Sequence, residues 1–154
     1  MDISRAEQAR NNFTEGYNCA QSVVLAFSDI IKTIDKDCLA ALASSFGGGM
    51  GRLREVCGAV SGMFIVWGIL SGYPNADTGE RKAAHYADIQ ELAHRFEREN
   101  GTIICRELLG LGEKSDGPIP ENRSKEYYEK RPCAKLVYSA AKILDEFIHE
   151  KAVI

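Results

Sequence analysis

Apolar residues recur along most of the chain at the three-to-four-residue spacing of helices that bury one face. The clearest stripe follows Cys133 and continues to about Lys151. Its members are Leu136, Val137, Ala140, Ile143, Leu144, Phe147 and Ile148. The alternating pattern of half-buried strands is absent at any useful length. We therefore predict an all-α fold without a sheet.

Capping residues and glycines divide this pattern into about six helices. The predicted helices cover residues 18–34, 35–46 or 37–46, 55–70 or 57–70, 77–100, 103–109 and 133–151. Asn18 with Gln21 forms a capping-box pattern, and Asp77 with Glu80 repeats it. Thr102 is expected to cap the short fifth helix. Gly101 is expected to end the long helix in a left-handed cap. Residues 111–122 form the one substantial loop.

The 154 residues are enough for one domain, which we place at residues 1–154. A net charge of −3 gives no positive field that would favour nucleic acid. The longest apolar stretch, residues 56–70, is shorter than the roughly 17–25 residues of a membrane span. The first residues are polar and lack the apolar core of a secretory signal. We therefore expect a cytoplasmic protein without a membrane span.

Five cysteines make an odd number, too few for a disulfide scaffold. Each falls in the first turn of a predicted helix: Cys19, Cys38, Cys57, Cys105 and Cys133. Free N–H groups and the helix dipole there favour negative charge, so we expect lowered thiol pKa values. The alternative is that each cysteine packs as a small apolar side chain. No C-x-x-C pair occurs, so any site must be assembled from separate helix ends.

A glycine-rich segment, residues 46–54, leads into the third predicted helix. It lacks the Gly-Lys-Ser/Thr of a phosphate loop, and no strand precedes it as in a dinucleotide fingerprint. Small residues let a backbone or a cofactor approach closely. The candidate cofactor-binding glycines are Gly48, Gly49, Gly51, Gly58 and Gly62. The alternative is a flexible turn followed by close helix packing. Arg52 and Arg54 either favour a Cys57 thiolate or are solvated.

Taken together, these segments resemble the C_GCAxxG_C_C family of redox-active proteins. The matching segments are residues 16–21 (GYNCAQ), 46–51 (FGGGMG), 57–62 (CGAVSG), 105–110 (CRELLG) and 133–137 (CAKLV). The resemblance implies that Cys19, Cys57, Cys105 and Cys133 share a redox or metal-binding role and that Cys38 is a bystander. A related helical module beside the haem segments of split-Soret-type cytochromes implies electron transfer. This chain has no C-x-x-C-H and should attach no c-type haem.

Three hypotheses follow for these four cysteines. The first is an iron–sulfur cluster held by four thiolates, with a four-cysteine zinc site as the alternative using the same ligands. The second is dithiol–disulfide chemistry, with Cys57 as a partly exposed thiol of low pKa. The third is a helical interaction module in which the cysteines only pack. The electron donor or acceptor is undefined, and a homo-oligomer is compatible with the sequence.

Other side chains carry weaker signals. His85 and His94 fall on opposite faces of one predicted helix, so they are poor joint ligands. Trp67 is expected in the core. Tyr127 and Tyr128 follow the loop and either cover a pocket or lie on the surface.

Overall fold

The computed structural model describes residues 2–76, 79–112 and 115–154. Over these residues the fold is all-α, as predicted. The right-handed helices are α1 (Arg5–Thr14), α2 (Cys19–Leu25), α3 (Lys36–Ala43), α4 (Gly58–Ser71), α5 (Gly79–Asn100), α6 (Cys105–Leu108), α7 (Lys125–Lys130) and α8 (Cys133–Glu150). A 3₁₀ turn at Ser44–Phe46 and a glycine turn at Gly47–Met50 join α3 to the segment before α4. No helix of this described part is long and apolar enough to cross a membrane.

Helix α8 is the centre of the bundle, because α1, α2, α4 and α5 all pack against it. Its apolar stripe is buried as the periodicity predicts, from Leu136 to Ile148. Phe147 meets Trp67 of α4 edge to face, with ring centroids 4.9 Å apart. Both rings are almost completely buried. Burying one such side chain contributes roughly 1.5–3 kcal/mol.

Two helices lie where the sequence pattern predicts none. Helix α1 is mostly polar, and it buries only a narrow stripe consisting of Ala6, Ala9, Asn12 and Phe13. Ser4 caps it, since its hydroxyl accepts from the Glu7 N–H at 3.1 Å. Helix α7 is short and has no buried residue, and Ser124 caps it in the same way. Hydrophobic periodicity does not indicate either helix, because each buries too little apolar surface.

Several predicted boundaries need correction. Helix α2 ends at Leu25 instead of continuing to residue 34, because the chain tightens into turns whose N–H groups bond three residues back. The fifth predicted helix shortens to α6, and its cap is Ile104. The Thr102 hydroxyl instead accepts from the Ile104 N–H. Gly101 has φ +96°, which confirms the left-handed cap. The predicted cap at Asp77 lies outside the described residues.

Candidate cysteine site

Four of the five cysteines line one cavity of about 270 Å³ at the end of the bundle where several helices begin. These are Cys19, Cys57, Cys105 and Cys133. Cys57 and Cys105 are 4% and 7% exposed, and the other two are half-buried against the same space. Cys38 is exposed in the first turn of α3 and lies away from this cavity. The helix starts thus bring together the quartet that the resemblance implies and leave out the fifth cysteine.

Cys19 is the first residue of α2, and its position is fixed by the cap before it. The Asn18 side chain accepts from the Gln21 N–H at 2.9 Å, and the Gln21 side chain accepts from the Asn18 N–H at 3.1 Å. The Asn18 amide also donates to the Ser44 carbonyl at 3.0 Å, which ties α2 to the end of α3. The predicted capping box is therefore present. It orients the start of α2 toward the cavity.

Cys57 and Cys105 lie side by side because their preceding segments pair. An isolated antiparallel bridge joins Val56 to Ile104. The Cys57 N–H donates to the Ile103 carbonyl at 2.7 Å, and the Cys105 N–H donates to the Glu55 carbonyl at 2.6 Å. Cys57 is the N-cap of α4, and Cys105 is the first residue of α6. Two helices remote in sequence therefore begin next to each other.

The glycine turn is left-handed and forms one wall of the cavity. Gly48, Gly49 and Gly51 have φ between +60° and +69°, and Met50 shares this conformation with φ +68°. The Gly48 N–H donates to the Cys19 sulfur. Gly48 and Gly51 line the cavity. A Cβ on Gly49 would lie 2.6 Å from the Cys105 Cβ, so this glycine lets the turn approach α6.

The two glycines of α4 differ in their surroundings. A Cβ on Gly58 would lie 2.3 Å from the Cys19 sulfur, so the start of α4 packs directly on that thiol. A Cβ on Gly62 would instead meet the Val23 Cβ at 2.9 Å. Gly62 serves helix packing between α2 and α4 and does not line the cavity. This contact fits the packing alternative for Gly62, and contact of Gly62 with a cofactor stays a prediction.

Arginines form the other wall: Arg52, Arg54, Arg123 and Arg131. Arg54 donates to the Cys105 sulfur at 3.6 Å and pairs with Asp116 at 2.6 Å. That guanidinium holds the pKa of the Asp116 carboxyl below its usual value. Arg52 also pairs with Asp116, at 3.5 Å.

Arg123 and Arg131 flank the ring of Tyr127. Tyr127 lines the cavity, which agrees with the first of its two predicted positions, over a pocket or on the surface. Arg123 stacks 4.2 Å from the centre of the Phe13 ring and donates to the Phe13 and Tyr17 carbonyls. Arg131 pairs with Glu121. No pattern in the sequence singles out Arg123, Arg131 or Asp116. The one sequence signal near them is the pair of prolines, Pro118 and Pro120, which indicates a loop at residues 111–122.

The sequence pattern of the family described as "Putative redox-active protein (C_GCAxxG_C_C)" matches residues 17–147, which include all four cavity cysteines. The chain belongs to the C_GCAxxG_C_C family. Comparison of this chain with the curated proteins and with the solved structures found no match. The family match covers most of the chain and supports a redox role for the protein.

Burial dominates the thiol chemistry of this C_GCAxxG_C_C protein. Desolvation raises the pKa of Cys57 well above its ordinary value, and it also raises the pKa of Cys19. The pKa of Cys133 rises to about 12, mainly through burial and then through repulsion from Cys19. Backbone N–H groups act in the opposite direction on Cys19 and Cys57 but are outweighed. The prediction that helix starts lower these pKa values is therefore wrong for these three thiols.

The same result counts against Cys57 as a partly exposed thiol of low pKa. Cys57 is buried, and its pKa is shifted upward. Every pair within the quartet interacts electrostatically, so ionising one thiol makes the next harder to ionise. A cation between the sulfurs reverses this balance, because thiols that coordinate a metal lose their protons.

The donor set suits a thiolate-bound metal group. Four soft sulfur donors face one space, backbone N–H groups point at two of them, and the absence of a side chain at Gly58 leaves room for the Cys19 sulfur. Within the described ranges, no group of three or more His, Cys, Asp or Glu side chains meets in the geometry of a single metal ion. The four cysteines instead line the cavity.

Proposed function

We propose that this protein binds an iron–sulfur cluster through the thiolates of its four cavity cysteines and uses it for electron transfer. The observation that carries the proposal is the convergence of Cys19, Cys57, Cys105 and Cys133 on one cavity. Four cysteine thiolates are the standard ligands of both [2Fe–2S] and [4Fe–4S] clusters. When bound, such a cluster supplies reversible one-electron chemistry, which fits the redox role of the family.

The size of the space favours a cluster over zinc. A zinc ion with Zn–S bonds of about 2.3 Å requires its tetrahedral sulfurs to stand only ~3.8 Å apart. A cluster is several atoms across, so its ligating sulfurs surround a volume. The cavity of about 270 Å³ is many times the roughly 10–15 Å³ needed by one bound water.

The charge of the cavity wall also supports an anionic group. Arg52, Arg54, Arg123 and Arg131 contribute four positive charges. Among the described residues, the carboxylates paired with them are Asp116 and Glu121, which leaves two positive charges. Four thiolates around a cluster core of charge 2+ carry two negative charges. The wall and the bound group therefore neutralise each other, and burial of the sulfurs becomes affordable as a metal group binds.

The protein residues have distinct tasks in this proposal. The Gly48 and Ala59 N–H groups donate to the Cys19 and Cys57 sulfurs, and such contacts tune the potential of a metal centre. Tyr127, Pro118 and Pro120 line the cavity and add apolar surface to its wall. The electron donor and acceptor are undefined, and a homo-oligomer and the cytoplasmic location stay predictions.

The test is metal analysis of protein purified without oxygen and reconstituted with iron and sulfide. We expect iron, acid-labile sulfide and visible charge-transfer absorption that dithionite bleaches. Serine replacements of Cys19, Cys57, Cys105 and Cys133, one at a time, should each lose most of the bound iron. The matched control is Cys38→Ser, which should retain all of it because Cys38 is exposed elsewhere. Colourless protein holding zinc, or iron-free protein with a disulfide, would reject the cluster.

A further inference from the structure

Arg54 combines three features that its role in the fold does not require. Its side chain reaches into the cavity, yet the residue is only 6% exposed. Its backbone has φ +58°, a left-handed conformation that residues with a side chain rarely adopt because the Cβ crowds the carbonyl oxygen. Strain of this kind persists where surrounding contacts impose it, and it concentrates at functional sites.

The contacts that impose this conformation are visible. The Arg54 N–H donates to the Gly48 carbonyl at 3.2 Å, and its carbonyl accepts from the Arg106 N–H at 3.2 Å. The backbone is thereby fixed between the glycine turn and the start of α6. From this position the guanidinium donates to the Cys105 sulfur at 3.6 Å. Its other edge is held by Asp116 through contacts of 2.7 and 2.6 Å.

We propose that Arg54 is a positioning residue that raises the reduction potential of the site, because it holds its positively charged guanidinium next to the Cys105 sulfur. The proposal rests on the proposed function. One electron from a one-electron donor protein changes a cluster with four thiolates from charge −2 to −3, and no bond or proton changes. Arg54 stabilises the added charge through Cys105. Asp116 opposes it, since its carboxylate offsets part of the Arg54 charge.

This arrangement gives two variants with opposite expected signs. Arg54→Gln removes the positive charge, so reduction should become less favourable by at least tenfold, which is 59 mV for one electron. Asp116→Asn keeps Arg54 but removes the opposing carboxylate, so reduction should become more favourable. The matched control is Arg5→Gln, because Arg5 also pairs with two carboxylates, Asp29 and Asp145, but does not line the cavity.

The first measurement is a mediated redox titration of the reconstituted proteins followed by visible absorption. Opposite shifts in the Arg54→Gln and Asp116→Asn proteins, with less than a twofold change in the Arg5→Gln protein, support the proposal. Shifts in the same direction, or an Arg54→Gln protein within twofold of the wild type, overturn it. A purely structural role would lower iron content in both variants without opposite shifts in potential.

A second measurement tests the contact between Arg54 and Cys105 even if no cluster binds. In metal-free protein, urea unfolding is compared for the wild type, Arg54→Gln, Cys105→Ala and the double variant. If the guanidinium is held against the sulfur, the losses of the two single variants should not add, and the coupling between them should be at least about fivefold in the unfolding equilibrium constant. Additive losses overturn the proposal, whereas iron-free wild-type protein refutes the proposed function alone.

Discussion

Replacing Gly58 by alanine tests the close packing of α4 on the Cys19 thiol. The new Cβ would lie 2.3 Å from the Cys19 sulfur and 2.7 Å from the Phe46 carbonyl oxygen. Non-bonded heavy atoms are most stable at about 3.5–4.0 Å, so the sulfur and the start of α4 must separate by roughly 1.2–1.7 Å. The Phe46 oxygen belongs to the backbone and cannot simply rotate away.

The size of the effect follows from two opposing contributions. Forcing an extra methyl group into a packed core costs roughly 1–3 kcal/mol. Because two contacts of the new Cβ fall below 3.0 Å and one of them is with backbone, the cost lies in the upper part of this range, at about 2–3 kcal/mol. Alanine gains at most about 1 kcal/mol over glycine in a helix. The free energy of unfolding should therefore fall by about 1–2 kcal/mol. For a chain of this size, each 1 kcal/mol moves the melting temperature by roughly 2–4 °C.

Circular dichroism melts of the metal-free proteins measure this change, and iron analysis after reconstitution measures its effect on the site. The matched control is Gly68→Ala on the same helix, where a Cβ meets nothing within 4 Å. It should raise the melting temperature and retain all of its iron. A Gly58→Ala protein that melts at or above the wild-type temperature and binds full iron would refute the packing described at Cys19.

Two further pairs of variants test how the cavity wall is built. Asn18→Ala removes the cap of α2 and should cost about 1 kcal/mol of unfolding free energy together with part of the bound iron. Ser4→Ala, which removes the cap of α1, should cost a similar amount of stability but no iron. Equal iron loss in both variants would show that the α2 cap does not position Cys19. Gly51→Ala introduces no clash but forces alanine to adopt φ +60°, so chemical unfolding should show that the free energy of unfolding falls by roughly 1 kcal/mol. Gly79→Ala is the control, because Gly79 has open space around it and no positive φ, and it should be neutral or stabilising. A stabilised Gly51→Ala protein would contradict the left-handed turn.

The helical fold was predictable because its main helices bury broad apolar stripes and carry recognisable caps. Asn18 with Gln21, and the stripe of α8, are confirmed in place. The first-turn position of every cysteine is confirmed as well, with Cys57 serving as the cap itself. Helices α1 and α7 were not predictable in this way, because polar segments with little burial give no periodic signal.

The site was only partly predictable from sequence. Which cysteines face the cavity followed from the family resemblance, since spacing alone did not separate Cys38 from the others. The direction of the thiol pKa shifts depends on how deeply three-dimensional packing buries each sulfur. The position of Cys57 at a helix start predicted a lowered pKa, whereas burial raises it. The contact of Arg54 with Cys105 spans 51 residues of sequence, so no local pattern could indicate it.

The central claim is that four sulfurs from separate helix starts bind one redox-active group. X-ray absorption at the iron edge of reconstituted Cys38→Ser protein tests it most directly, because every remaining cysteine then belongs to the quartet. The account predicts an iron coordination shell made only of sulfur, together with a short iron–iron scattering path. An iron shell of nitrogen and oxygen ligands without an iron–iron path would contradict it.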